Sequence, residues 1–228
     1  MANKKLSDVD VWLGRETNHV RKALENASRH FDGNDSLTVN TLEAVYGRES
    51  SFGLEKMMRK RGADVAADHF HLEIPTARRY GLNVSMKNDQ RFDIDYASSA
   101  AARYLKDLDS MFSKKKILGK GLETIPIKSA LERKNFTIGA YNAGEGSIAK
   151  AQRLAEEVGE NPQVWSDVEK YLTAQTRQYI PKVLSYQDEF SLKSPASKNT
   201  KEKNPRKEYR CASGHWVTID DRPVFICD

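Results

Sequence analysis

Residues 36–53 read SLTVNTLEAVYGRESSFG. Leu37, Val39, Leu42, Ala44 and Val45 fall on one side of a 3.6-residue period, so the stretch predicts an amphipathic helix. Ser36 can cap its start. Small and polar residues then stop it near Ser50–Gly53. The same period recurs on both sides. Upstream, Val11, Leu13, Val20, Ala23, Leu24 and Ala27 predict one helix from Asp8 to Phe31, closed by the turn signal Asp32-Gly33-Asn34-Asp35. Downstream, helices are expected over Leu54–Arg61, Ile74–Tyr80, Asp95–Phe112, Lys134–Tyr141, Ser147–Glu157 and an interrupted stretch, Asn161–Leu184. Pro75 suits a first helical turn, and Pro181 is expected near a helix end. Strand signals are nearly absent before residue 208. The expectation is an all-α domain.

The chain has 228 residues, with 37 Lys and Arg against 32 Asp and Glu, a net charge of +5. That length suits one substantial domain with an appendage. No apolar run approaches the ~18–20 residues of a membrane span. The mild basic excess permits an anionic partner without choosing among nucleic acid, a membrane surface and an acidic wall polymer.

The tail changes character. Ser191–Arg210 is rich in Lys, Ser, Asn and Pro, the composition of a linker. Beyond it, Val217, Ile219, Val224 and Ile226 alternate with polar residues around Asp220-Asp221-Arg222-Pro223, a hairpin pattern. Cys211 and Cys227 are the two cysteines and bracket this hairpin. A disulfide there would close a loop of about 15 residues and contribute ~3 kcal/mol in the chain-entropy model. It would imply an oxidising compartment; two free thiols are the alternative. The start, MANKK, precedes no apolar h-region; set beside the cysteine pair, this is reconciled by a mature secreted chain whose leader was removed.

Two segments could carry chemistry. Glu49 stands at the end of the apolar helix. A carboxylate projecting from an apolar face into a cleft is poorly hydrated, which favours the protonated form a general acid needs. The second segment is Ala140–Gly146, AYNAGEG. Gly144 and Gly146 allow close backbone approach, while Tyr141 and Asn142 offer a ring face, a hydroxyl and an amide for a polar ring substrate.

These segments occur in an order that resembles the soluble lytic transglycosylase and goose-type lysozyme superfamily. Glu49, Ser50 and Phe52 form an ES-x-F element. Thr76–Leu82, TARRYGL, is similar to a TAR-x-YGL run. Phe92–Leu105, FDIDYASSAAARYL, resembles the segment that opens a long helix in the family. AYNAGEG follows, and Thr176–Leu184, TRQYIPKVL, is similar to the family's TRNYVPKVL. The resemblance implies a lysozyme-like helical fold with a small C-terminal hairpin appendage. It implies cleavage of the β-1,4 bond between N-acetylmuramic acid and N-acetylglucosamine in peptidoglycan, with Glu49 as the single acid/base and no cofactor. Ser50 would position substrate or the glutamate. Tyr141 and Asn142 would line the sugar cleft, and Tyr179 would lie near Glu49. The implied organisation is an N-terminal helical extension (1–35), a catalytic domain (36–190), a basic linker (191–210) and the hairpin (211–228).

The sequence also departs from the family. A Gly-Leu-Met-Gln or Gly-x-Phe-Gln element usually precedes the Thr76 run. Here Asp68-His69-Phe70-His71 stands instead. Phe70 serves as the apolar residue, whereas His71 replaces the glutamine that helps hold the acetylated sugar. Gln175 replaces a glutamate. The altered stretch suggests a modified glycan, such as one lacking acetyl groups. A metal reading of His69 and His71 with Asp68 and Glu73 lacks a further ligand at a convincing spacing. A rival enzyme reading is a goose-type hydrolase, which needs a base carboxylate ~6.5–9.5 Å from the acid to hold water. Asp68, Glu73, Asp93 and Asp95 are candidates for that base. A non-catalytic wall-binding protein is disfavoured by the presence of Glu49. No nucleic-acid partner is expected.

Overall fold

A computed structural model describes residues 6–32, 35–53, 68–119, 121–195, 214–219 and 222–227, the last two segments as backbone alone. It divides into a unit spanning 1–197 and a unit spanning 198–228. The larger unit is helical: α1 (Asp8–Leu13), α2 (Asn18–Ala27), α3 (Val39–Ser50), α4 (Ile74–Arg79), α5 (Ile94–Ser113), α6 (Ala130–Ala143), α7 (Glu145–Glu157), α8 (Trp165–Val168) and α9 (Ala174–Lys193). One-turn 3-10 helices lie at Ser28–His30, Asp68–Phe70, Gln90–Phe92 and Glu169–Tyr171. The expected helix over Leu54–Arg61 and Cys211, one end of the expected disulfide, lie outside the described residues.

α3 is the central element. Nearly all its residues are buried, polar Asn40, Thr41, Glu43 and Ser50 included. It packs along α9, while α5 packs on α2 and α6, and α6 on α7 and α9. The core draws Leu42, Val45 and Tyr46 from α3, Leu105, Leu108 and Phe112 from α5, Phe136 and Ile138 from α6, and Ile180, Val183 and Phe190 from α9. Trp12 and Trp165 are core residues, 6% and 8% exposed, and so pack rather than face solvent.

Several sequence expectations are corrected. The predicted helix from Asp8 to Phe31 is two helices. Ser7 caps α1 in a reciprocal box with Asp10, Gly14 closes it, and the Thr17 side chain accepts from Val20 N to start α2. Local capping thus outweighs the continuous apolar period. The cap of α3 is Thr38, boxed with Thr41, not Ser36. α9 continues through Pro181 to Lys193, three residues into the stretch read as linker. Its buried Tyr179, Ile180, Val183, Tyr186 and Phe190 lie on both sides of the proline. Tertiary packing here overcomes the missing N–H of the ring. A short antiparallel ribbon, β1 (Ile117–Gly119) with β2 (Leu122–Glu123), was not legible as strand. Gly119 and Gly121 turn it at φ 109° and 73°, and Lys116 and Thr124 exchange backbone and hydroxyl bonds at its base.

The smaller unit carries the expected hairpin. β3 (Gly214–Ile219) pairs antiparallel with β4 (Arg222–Cys227), with Val217 opposite Val224 and Ile219 opposite Arg222. Pro223 falls inside β4, opposite Thr218, rather than in the turn. A two-stranded ribbon keeps each strand's outer edge free of ladder bonds, so the ring's missing donor is tolerated there.

Candidate active site

The site begins where α3 stops. Ser51 N donates to the Gly47 carbonyl, and the chain then enters left-handed backbone at Ser51 (φ 49°), Phe52 (φ 60°) and Gly53 (φ 73°). Two non-glycine residues in that region are strained and need neighbours to hold them. Phe52 supplies the hold. Its ring lies 4.6 Å from Tyr46, 5.5 Å from Phe190 and 5.9 Å from Trp12. Ser50 supplies more: its hydroxyl donates to the His69 carbonyl at 2.9 Å and accepts from Gly53 N at 3.0 Å. The ES-x-F element is therefore a helix stop bolted into the core, with Glu49 on its open side.

Glu49 is half-buried, and both its oxygens are engaged. Tyr179 Oη donates to Oε1 at 2.5 Å. His71 Nδ1 lies 3.1 Å from Oε2. Tyr179 is itself buried, and burial first, then the Glu49 charge, holds its phenol well above the usual tyrosine range. The Arg48 guanidinium lies 5.4 Å from the Tyr179 ring centroid. Tyr141, raised by burial and then by Glu49, likewise stays a donor, and its hydroxyl reaches the Phe70 carbonyl at 2.9 Å.

His71 adopts φ 49°, an uncommon conformation for a residue with a Cβ. The segment around it is clamped at three carbonyls. Ser50 takes that of His69, Tyr141 that of Phe70, and Arg91 that of Leu72 at 3.1 Å. Arg91 is in turn fixed by Asp89 through bonds of 3.0 and 2.8 Å. His69 engages the Tyr46 hydroxyl at 2.9 Å, so the two histidines serve different partners.

Glu49, His71, Tyr141 and Asn142 line one cavity of about 360 Å³, together with Glu73, Thr76, Tyr104 and Gly144. Asn142 Oδ1 accepts from Thr176 Oγ1 at 3.1 Å, which orients the amide. Through Asn142 and Ala143 this cavity adjoins a second of about 470 Å³ that includes Gln175. The second adjoins a third of about 780 Å³ through Lys150 and Leu154. Of the other residues named from sequence, Ser50 and Phe70 are 0% and 1% exposed, so they support the wall from behind and do not reach a ligand in the cavity. Tyr179 touches Glu49 from the buried side. Among the base candidates, Glu73 lines the cavity. Asp93 caps α5, and Asp95 meets His19 at 2.7 Å on the surface. The side chain of Asp68 lies outside the described residues.

Tyr104 escaped the sequence reading, although it sits in the FDIDYASSAAARYL run. Its ring lies 5.3 Å from Tyr141 and 5.4 Å from Tyr80, so three tyrosines from three segments meet beside the cavity.

Comparison with known proteins identifies the family of the larger unit. The profile of the transglycosylase SLT domain matches residues 34–164, more than half of the chain. A membrane-bound lytic murein transglycosylase F of Shewanella loihica is 33% identical over 109 residues, 47% of this chain and 19% of the relative. A membrane-bound lytic murein transglycosylase D of Escherichia coli K12 is 30% identical over 113 residues, 50% of this chain and 20% of the relative. This chain thus spans about a fifth of the length of these relatives. No helix among the described residues is long and apolar enough to cross a membrane. Glu49, His71 and Asn142 fall within the matched residues, whereas Tyr179 lies beyond them.

Proposed function

Because the chain belongs to the transglycosylase SLT domain family, we propose that it is a peptidoglycan lytic transglycosylase with Glu49 as its acid/base. The carrying observation is a half-buried carboxylate at the end of a buried helix, opening onto a polar cavity and held at both oxygens. The relatives' names as lytic murein transglycosylases support the same reading. On it, Glu49 protonates the oxygen of the β-1,4 bond between N-acetylmuramic acid and N-acetylglucosamine as oxocarbenium character develops. The substrate's acetamido oxygen stabilises the anomeric carbon. The Glu49 carboxylate then takes the proton of the C6 hydroxyl on the same sugar, whose oxygen closes on C1 to give a 1,6-anhydro end. No water is consumed, and Glu49 ends protonated as it began.

Tyr141 and Asn142 line the sugar subsite, and the adjoining cavities along α7 give a strand room to continue. His71 stands in place of the family's glutamine, and Glu73 on the same wall suits a glycan with a free amine, since a carboxylate pairs with an ammonium group. Equal rates on acetylated and deacetylated strands would overturn that preference. The organisation proposed is an extension (1–35), a catalytic domain (36–190), a basic linker and a hairpin closed by a Cys211–Cys227 disulfide, in a periplasmic or secreted protein. The net charge of +5 suits an anionic wall.

A second reading rests on Glu73. A second carboxylate on the Glu49 cavity could activate water, as in a goose-type hydrolase. Mass spectrometry of purified peptidoglycan digested by wild type and Glu49→Gln separates the cases. Anhydro ends that vanish in the variant support the transglycosylase. Reducing ends support the hydrolase, and intact glycan with wild type supports a wall-binding protein.

A further inference from the structure

We propose that Trp12, on a helix outside the residues the family profile matches, is a positioning residue for Glu49: its indole sets how the end of α3 meets α9, and so where the carboxylate stands. The inference rests on the reading of Glu49 as acid/base and adds a further part of the chain to it.

The contacts of the indole bracket Glu49 along the chain. Before it, Gly47 lies so close that an added Cβ would fall 2.3 Å from Trp12 Cζ3. After it, the Phe52 ring stacks on the indole at 5.9 Å and 11°. The same indole meets α9, edge-on to Tyr186 at 4.8 Å and stacked with Phe190 at 6.2 Å. Trp12 is therefore a spacer between α3 and α9. Those two helices carry the two ends of the 2.5 Å bond from Tyr179 Oη to Glu49 Oε1. Phe52 also holds a left-handed φ of 60°, so what clamps its ring clamps the turn that ends α3.

α1 has six residues. Isolated helices shorter than ~12–15 residues are marginal in water, so docking is what forms it. Val9, 0% exposed, enters the core beside Trp12. At the surface Tyr186 Oη donates to Asp8 at 2.6 Å, Lys193 Nζ donates to Asp10 at 2.6 Å, and the Ser7 hydroxyl donates to Glu189. All of these α9 partners lie beyond residue 164, where the matched stretch ends, and α1 lies before residue 34, where it begins. The two flanks of the family segment thus close on each other, with Trp12 wedged between them and α3. Displacing a catalytic group by about 1 Å can cost about 100-fold in rate, so a spacer governs turnover without touching substrate.

The test compares kcat and KM on soluble glycan strands for the whole chain as wild type, Trp12→Leu, Trp12→Phe and Phe112→Leu, each at a temperature where circular dichroism shows it folded. Phe112→Leu, a core change on α5 against Phe136 of α6, controls for stability lost elsewhere. The expected result is a kcat about 10- to 100-fold lower in Trp12→Leu with KM within about twofold, and most of the loss recovered by the ring of Trp12→Phe. A wild-type kcat in folded Trp12→Leu overturns the proposal, and so does an equal loss in Phe112→Leu. Carbon-13 NMR of tyrosine-labelled protein reads the site without turnover and serves where Trp12→Leu does not fold. A Tyr179 signal that moves in Trp12→Phe supports the spacer, and an unmoved one overturns it. Full cleavage by Glu49→Gln would instead sink the acid/base reading itself, so the two failures are told apart.

Discussion

Tyr179 and Glu49 stand 130 residues apart in sequence, yet the buried phenol donates a 2.5 Å hydrogen bond to the carboxylate that faces the cavity. The bond ties α9 to the end of α3, the helix it packs along. It also makes Tyr179 a support behind Glu49 rather than part of the cavity lining.

Tyr179→Phe keeps the packing and removes the donor. A hydrogen bond to a charged group contributes about 1.5–3 kcal/mol, so the rate of glycan cleavage should fall about 10- to 100-fold. The apparent KM should change little, because Tyr179 meets Glu49 from the buried side. Steady-state kinetics on soluble glycan strands checks this. An unchanged rate would reduce Tyr179 to packing.

Glu43 on α3 is 1% exposed and accepts from Asn40 Nδ2 at 2.8 Å and from Ser194. Burial pushes its carboxyl up from an ordinary 4.5 to about 7. Between those values the folded chain holds more protons than the unfolded one, so this carboxyl erodes stability as pH rises through the window. The loss above it is on the order of 1–3 kcal/mol. Glu43→Gln should flatten the fall in Tm between about pH 5 and about pH 8. Parallel Tm profiles for the two proteins would contradict the assignment.

Gly47 lies on α3 against Trp12. An added Cβ would fall 2.3 Å from Trp12 Cζ3 and 2.7 Å from Cε3. Helix propensity alone favours alanine over glycine by about 1 kcal/mol. Overpacking against an indole clamped by Phe52, Tyr186 and Phe190 opposes it by about 1–3 kcal/mol or more. Gly47→Ala should therefore lower the urea midpoint; a rise would show that Trp12 can move aside.

Asp89→Ala leaves Arg91, 1% exposed, without the carboxylate it grips. Breaking a buried pair from one side costs about 3–5 kcal/mol. Arg91 also holds the Leu72 carbonyl next to His71, so cleavage should fall together with stability. Urea denaturation and an activity assay on the same preparation test both. Wild-type activity in a destabilised variant would uncouple the clamp from the site.

Much of the helical layout was legible because apolar residues recur at 3.6-residue spacing, as in Val20, Ala23, Leu24 and Ala27. Helix ends were less legible. The break at Gly14–Thr17 depends on the glycine that closes α1 and the Thr17 hydroxyl that caps α2, which compete with an unbroken apolar pattern. The passage of α9 through Pro181 depends on what α3 offers its buried face. Glu49, Tyr141 and Asn142 were found as a motif and do share a cavity. Ser50 and Phe70 belong to the same motifs, yet they face the core, since a motif records what a fold needs as well as what a ligand touches.

By itself the sequence determined an all-α domain, a C-terminal hairpin and a glutamate at a helix end, because period and turn chemistry act over a few residues. Only the tertiary structure decided what surrounds that glutamate. His71 from a left-handed turn and Tyr104 from α5 reach the site through packing between distant segments, as does Tyr179 from α9, whose place near Glu49 the family resemblance implies but no local pattern does. Which face a buried helix turns inward depends on its neighbours, and no local pattern encodes it.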